Sequence, residues 1–243
     1  MRRLLIALSF LTVLIIAGCG ATTSSAAKNQ QFMCTQPANG TGPYTYVAIG
    51  ASDAVGIGAT CASSDGYVPL LGKLMPKNTH VVNLGISGIT IDRASTIELP
   101  TAIKDQPNII TIWLSANDFR AMQQGGTPTL ATYNQELDAF LMALQTQTKA
   151  QVFVGNLPDL TKLPAFQHSK IPLTTTADEN AAWNDAIATT VAKDGAVLVD
   201  LYHANIADHP EYIWIDGFHP SSLGYIQLAN AFWTVIQAHG GAK

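Results

Sequence analysis

The chain has 243 residues, 47% of them hydrophobic and 12% charged, and a formal net charge of −4. That length allows one domain or two small ones, with apolar residues enough for a sizeable core. A nucleic-acid binder would carry a basic patch or stripe, so the acidic balance argues against that class. In chain order, Arg2 and Arg3 come first, then an apolar run over residues 4–16, then Ala17, Gly18 and Cys19. A basic start, a short apolar run and small residues at its end describe a secretory signal peptide. As a helix the run spans roughly 20 Å, short of the ~30 Å hydrocarbon core, so a permanent transmembrane helix is the weaker reading.

The ending Ile16-Ala17-Gly18-Cys19 resembles a bacterial lipoprotein signal. The resemblance implies cleavage after residue 18 and several acyl chains on Cys19, enough for stable anchoring where a single chain is marginal. Residues 20–42 are rich in Ala, Thr, Ser, Gln and Asn and read as a flexible tether. The expected division is a signal over 1–18, a tether over 19–42 and a folded domain over 43–243. Cys34 and Cys61 remain, and two cysteines in an exported chain can pair or stay as free thiols.

From Tyr44 onward, β-branched runs alternate with longer helical patterns. Strands are expected over residues 45–49, 80–84, 109–114, 151–154 and 196–201. Most are nearly continuous apolar runs, which suits strands buried on both faces of a parallel sheet. Helices are expected over 67–75, 91–104, 130–149, 177–193 and 222–238. The alternation predicts a three-layer α/β/α domain around a mostly five-stranded parallel sheet. Residues 156–176 hold three prolines without periodicity and read as a long loop. Loops of that length are uncommon unless functional, and Leu157, Leu160, Leu163, Pro164, Phe166 and Ile171 could wall an acyl-chain pocket.

In such a sheet the site lies beyond the carboxyl ends of the strands. There the chain carries Gly50-Ala51-Ser52-Asp53, Gly85-Ile86-Ser87-Gly88, Ser115-Ala116-Asn117-Asp118 and, before the last helix, Asp216-Gly217-Phe218-His219-Pro220. This set suits acyl transfer. A serine hydroxyl is a weak nucleophile until a base takes its proton, and histidine is the usual base. A carboxylate on the other ring nitrogen fixes the tautomer and stabilises the imidazolium. Asn117 offers a side-chain amide for an oxyanion, and Gly88 offers a backbone N–H that no side chain blocks. Pro220 disfavours helix at His219, which leaves His219 on a loop three residues after Asp216.

These blocks, in this order, resemble the GDSL (SGNH) hydrolase family over essentially everything from Tyr44 onward. The resemblance implies a flavodoxin-like fold and a serine esterase or lipase that needs no cofactor and no metal. It implies Ser52 as nucleophile, with Asp216 and His219 completing the triad. The Ser52 backbone N–H, Gly88 and Asn117 would form the oxyanion hole. It departs from the family at two places: Ala51 replaces the acidic residue before the serine, and Ser115 replaces the glycine of the Gly-x-Asn-Asp block. The family hydrolyses lipid esters, lysophospholipids, thioesters and acetylated sugars, and the chain is expected to work as a monomer held at a bacterial membrane through Cys19, outside the cytoplasm.

Other readings compete with these. Ser52 could be a helix N-cap, as serines after strands often are. Ser87 is a rival nucleophile. His203, His209 and His219 near Asp200, Asp208 and Asp216 suggest a metal site, but their spacing fits no metal-ligand signature. Gly56-Ile57-Gly58 lacks the third glycine of a dinucleotide loop, and Gly72-Lys73 is followed by Leu74, not Ser or Thr. A lipid-anchored binding protein that kept the fold and lost the chemistry is the alternative function.

Overall fold

The structure is a computed structural model that describes Cys34 and residues 38–241. The expected signal segment, Cys19 and most of the expected tether lie outside the described residues. Five parallel strands, β1 (Thr45–Gly50), β2 (His80–Asn83), β3 (Ile109–Trp113), β4 (Gln151–Gly155) and β5 (Val197–Val199), form one sheet in the order β2-β1-β3-β4-β5. Nine helices accompany them among the described residues: α1 (Ser52–Val55), α2 (Ala62–Asp65), α3 (Tyr67–Leu74), α4 (Ile91–Asp105), α5 (Ala116–Gln123), α6 (Leu130–Gln147), α7 (Pro164–Gln167), α8 (Leu173–Lys193) and α9 (Ser222–Ala238).

Alternate residues of one strand serve opposite faces of the sheet. In β1, Val47 and Ile49 join the core under α4, α6 and α8, whereas Tyr46 and Ala48 join the core under α3 and α9. In β4, Val152 and Val154 face the first layer and Phe153 the second. Both faces are covered, which is why these strands read as continuous apolar runs. Trp183 of α8 and Tyr67 of α3 are fully buried, one in each layer.

Two features depart from the sequence expectation. The segment 156–176 is not a featureless loop. It contains a 3-10 turn (Leu160–Lys162) and α7, and α8 begins at Leu173, inside it. Proline at the first position of α7 suits a helix start, where the missing N–H is not needed. Of the six apolar residues named for an acyl pocket, Leu157, Leu160, Leu163 and Phe166 are buried in the core, Pro164 is exposed and Ile171 half-buried, so the six do not form one open pocket wall. The second departure is residues 39–42, which were expected to end the tether. They run along β2, where the Asn39 side chain bonds both the N–H and the C=O of Val81 and the Gly42 N–H donates to Asn78 O. Cys34 and Cys61 are joined in a disulfide, with Cα atoms 5.4 Å apart. Among the described residues no helix is long and apolar enough to cross a membrane.

Candidate active site

Sheet order reverses at β1: the chain goes from β1 outward to β2, then returns to the other side for β3. Loops leaving β1 and β3 therefore diverge to opposite faces, and a crevice opens between them at the switch point. Ser52 follows β1 and Asn117 follows β3, so the topology puts both on this crevice.

Ser52 is the first residue of the single turn α1, and the N-cap is Ala51. The serine hydroxyl caps nothing; it lies 2.8 Å from His219 Nε2. Gly56 (φ 90) then takes the left-handed conformation that ends the turn. On the other ring nitrogen, His219 Nδ1 is 2.5 Å from Asp216 Oδ2, while Asp216 Oδ1 accepts the N–H groups of Phe218 (2.9 Å) and His219 (3.0 Å). Ser52 is 7% exposed and the His219 side chain 16%.

A tight turn presents Asp216 and His219. Gly217 N donates to Trp214 O, Trp214 N donates to His219 O, and Ile213 pairs with Pro220 as an isolated antiparallel bridge. Gly217 carries φ 73, a conformation natural to glycine. A Cβ there would sit 2.9 Å from Pro164 Cβ, so the residue also lets the turn lie flat on α7. Burial acts to raise the Asp216 carboxyl, but the His219 ring and the two N–H donors outweigh it and hold the group below the usual carboxylate range.

Gly88 sits in the loop after β2 with φ 77, and its N–H donates to no group among the described residues. Asn117 Nδ2 donates to Ile89 O at 2.9 Å. An amide nitrogen has two N–H groups, so one remains for a bound oxygen. The next residue, Asp118, accepts the Ile91 N–H at 3.2 Å. Adjacent side chains of α5 thus grip Ile89 and Ile91, just after Gly88. Asn83 ties the same loop to α1, donating to Ala54 O and accepting from Gly85 N.

Buried carboxyls surround the site. Burial pushes Asp53, next to Ser52, up to about 6, partly offset by His219. Burial also pushes Asp118 up to about 7 and Glu98 of α4 up to about 8.

The structure therefore brings Ser52, Gly88, Asn117, Asp216 and His219 to one end of the sheet. Cys34 and Cys61 do not line the crevice, and Cys19 lies outside the described residues. His203 Nδ1 meets Asp200 Oδ2 at 2.6 Å, but this pair is largely exposed and bonds no serine. Among the described residues no three His, Cys, Asp or Glu side chains converge to hold a metal. Sequence reasoning missed the crevice walls Trp113 and Phe218. Their signal was position alone: one ends β3, the other lies between Asp216 and His219.

This fold recurs in solved structures. A lipase/acylhydrolase from Enterococcus faecalis is 20% identical, with 81% of this chain covering 96% of that one at a TM-score of 0.65. TesA is 21% identical, with coverage of 80% and 98% and a TM-score of 0.65. An acetylxylan esterase from Geobacillus stearothermophilus is 20% identical, with coverage of 80% and 94% and a TM-score of 0.62. No curated protein matches the chain significantly. The model of the GDSL-like Lipase/Acylhydrolase family matches residues 48–226, which hold the serine and histidine blocks alike, and the chain belongs to that family of ester-hydrolysing enzymes.

Proposed function

We propose that this protein is an extracytoplasmic, lipid-anchored serine esterase that hydrolyses acyl or acetyl esters with Ser52, His219 and Asp216. The observation that carries the reading is the continuous chain from Ser52 Oγ to His219 Nε2 (2.8 Å) and from His219 Nδ1 to Asp216 Oδ2 (2.5 Å).

Ser52 Oγ attacks the ester carbonyl carbon while His219 Nε2 takes the hydroxyl proton. Asp216 holds the ring and stabilises the imidazolium. The carbonyl oxygen gains negative charge and is received by the N–H groups of Ser52 and Gly88 and by the Asn117 amide. The C–O bond to the alcohol breaks, and the alcohol leaves with the proton from Nε2. Water then attacks the acyl-serine with His219 as base, which releases the carboxylic acid and restores Ser52.

A fluorophosphonate tests this reading. It should label wild-type protein at Ser52 and leave Ser52→Ala and His219→Ala unlabelled. Folded wild-type protein that takes no label would reject it. The basic start, apolar run and Ile16-Ala17-Gly18-Cys19 ending support anchoring through Cys19. Expressed with its full N-terminus in a bacterium, the protein should fractionate with membranes, and Cys19→Ala should release it to the soluble fraction.

A further inference from the structure

Two cavities lie at the candidate site, and two side chains line both. The first is the crevice at the switch point, about 10 Å³ in volume, walled by Ser52, Trp113, Ser115, Asn117 and Phe218. That is the room of one water-sized or methyl-sized group. The second holds about 30 Å³ and is lined by apolar side chains, including Leu163, Leu201, Ile206 and Ile213. Trp113 and Phe218 belong to both linings, so they form the partition.

Phe218 is fixed from several sides. Its N–H is bound to Asp216. Its ring lies 6.2 Å from that of Phe166 and 5.0 Å, edge on, from that of His219, and the Arg120 guanidinium sits 4.9 Å over it. Ser115 narrows the crevice from the side of β3. It is 3% exposed, and its hydroxyl has no hydrogen-bond partner among the described residues.

We propose that the crevice beside Ser52, on the side walled by Trp113, Ser115 and Phe218, is the acyl-group subsite, that it is sized for acetate, and that Phe218 sets its depth by closing off the apolar cavity behind it. This rests on Ser52 being the nucleophile. When Oγ bonds the carbonyl carbon and the carbonyl oxygen faces Gly88 and Asn117, the acyl substituent enters the crevice on its Trp113, Ser115 and Phe218 side. An acetyl methyl fits there. A butyryl chain adds two carbons that meet Phe218 and Trp113. The alcohol half leaves with the proton from His219 Nε2 and does not share the acyl subsite.

The test is a series of nitrophenyl acetate, butyrate and octanoate, read as kcat/KM relative to acetate. Ethyl and benzyl acetate follow the alcohol side, and fluorophosphonate labelling of Ser52 runs in parallel. Wild type should lose about tenfold or more from acetate to butyrate. Phe218→Ala should join the cavities and shrink that loss to about threefold or reverse it. Ser115→Gly should shift the profile the same way by a smaller amount. Should Phe218→Ala not fold, Phe218→Leu takes its place. Varying the alcohol should move wild type much less than varying the acyl group. Labelled wild type that prefers butyrate or octanoate would overturn the inference while leaving the serine mechanism intact. So would folded, labelled variants that keep the wild-type profile, or a steep dependence on the alcohol instead. Wild type that takes no label would sink the serine mechanism itself.

Discussion

Asp216 binds His219 twice: Oδ2 meets the ring Nδ1 at 2.5 Å, and Oδ1 accepts the backbone N–H at 3.0 Å. The carboxylate thus fixes the ring's orientation through the same residue whose backbone it holds. Asp216→Asn keeps the shape but replaces one acceptor oxygen with a donor, which favours the wrong tautomer. Its kcat should fall on the order of 10³–10⁴-fold with little change in melting temperature. Steady-state kinetics beside thermal unfolding checks this, and an activity near wild type would remove Asp216 from the mechanism.

The oxyanion site should show a different signature. Asn117→Ala removes one donor and should lower kcat by about 10²–10³-fold. Gly88→Ala meets no atom within 4 Å, so its effect comes from holding alanine at φ 77. That conformation costs about 1–2 kcal/mol, and relaxing it would turn the N–H away from the crevice. Both variants should still take the fluorophosphonate, more slowly than wild type.

Gly217 carries two constraints at once, a positive φ and a close approach to Pro164 and Ala165. Gly217→Ala should therefore lower stability by roughly 1–3 kcal/mol. It should also lower kcat, because the turn that sets the Asp216–His219 geometry must shift. Urea denaturation and kinetics on one preparation would show both losses together.

Glu98 should make stability depend on pH. Its side chain is buried, and burial pushes it from 4.5 to about 8, outweighing the smaller opposing effect of the Gly50 backbone N–H. Between those values the unfolded chain has released a proton that the folded protein still holds. Folded protein then loses stability as pH rises, by at most about 1.4 kcal/mol per unit from this group. Above about 8 both states are ionised and the loss stops growing. Asp53 and Asp118, raised by burial to about 6 and about 7, act in the same direction at lower pH. Urea midpoints at pH 5 and pH 8 should differ less for Glu98→Gln than for wild type; an equal difference would mean Glu98 ionises normally.

The disulfide links positions 27 apart in sequence. Closing a loop of that length restricts the unfolded chain by about 3–4 kcal/mol in the chain-entropy account. Cys61→Ser should lower the melting temperature, and added reductant should lower it for wild type but not for the variant.

The sequence by itself determined the architecture. Both faces of the sheet are covered, so most of its strands are nearly continuous apolar runs, and local periodicity was enough to find all five strands and helices α3, α4, α6, α8 and α9. It missed α1 and α2, which are single turns of four residues, and α5, whose eight residues start where β3 ends and bury only Asp118 and Phe119. Segment 156–176 misled for the opposite reason: Leu157, Leu160, Leu163 and Phe166 are core, and only packing says so.

For the site, the order of the motif blocks pointed to Ser52, Asp216 and His219, but local chemistry alone does not single them out. Asp200-x-x-His203 and Asp216-x-x-His219 share one spacing and nearly one local geometry, with ring contacts of 2.6 and 2.5 Å. Short-range hydrogen bonding builds both equally well. What separates them is the partner on the far nitrogen: His219 meets Ser52 across 167 positions. That meeting depends on where the sheet's switch point puts the end of β1 relative to the turn before α9. Likewise, Phe218 and Trp113 carry no motif, and their place as a partition exists only once β3 and the 213–220 turn are packed together. Local pairings follow from local chemistry; a serine and a histidine from opposite ends of the chain meet only through the fold.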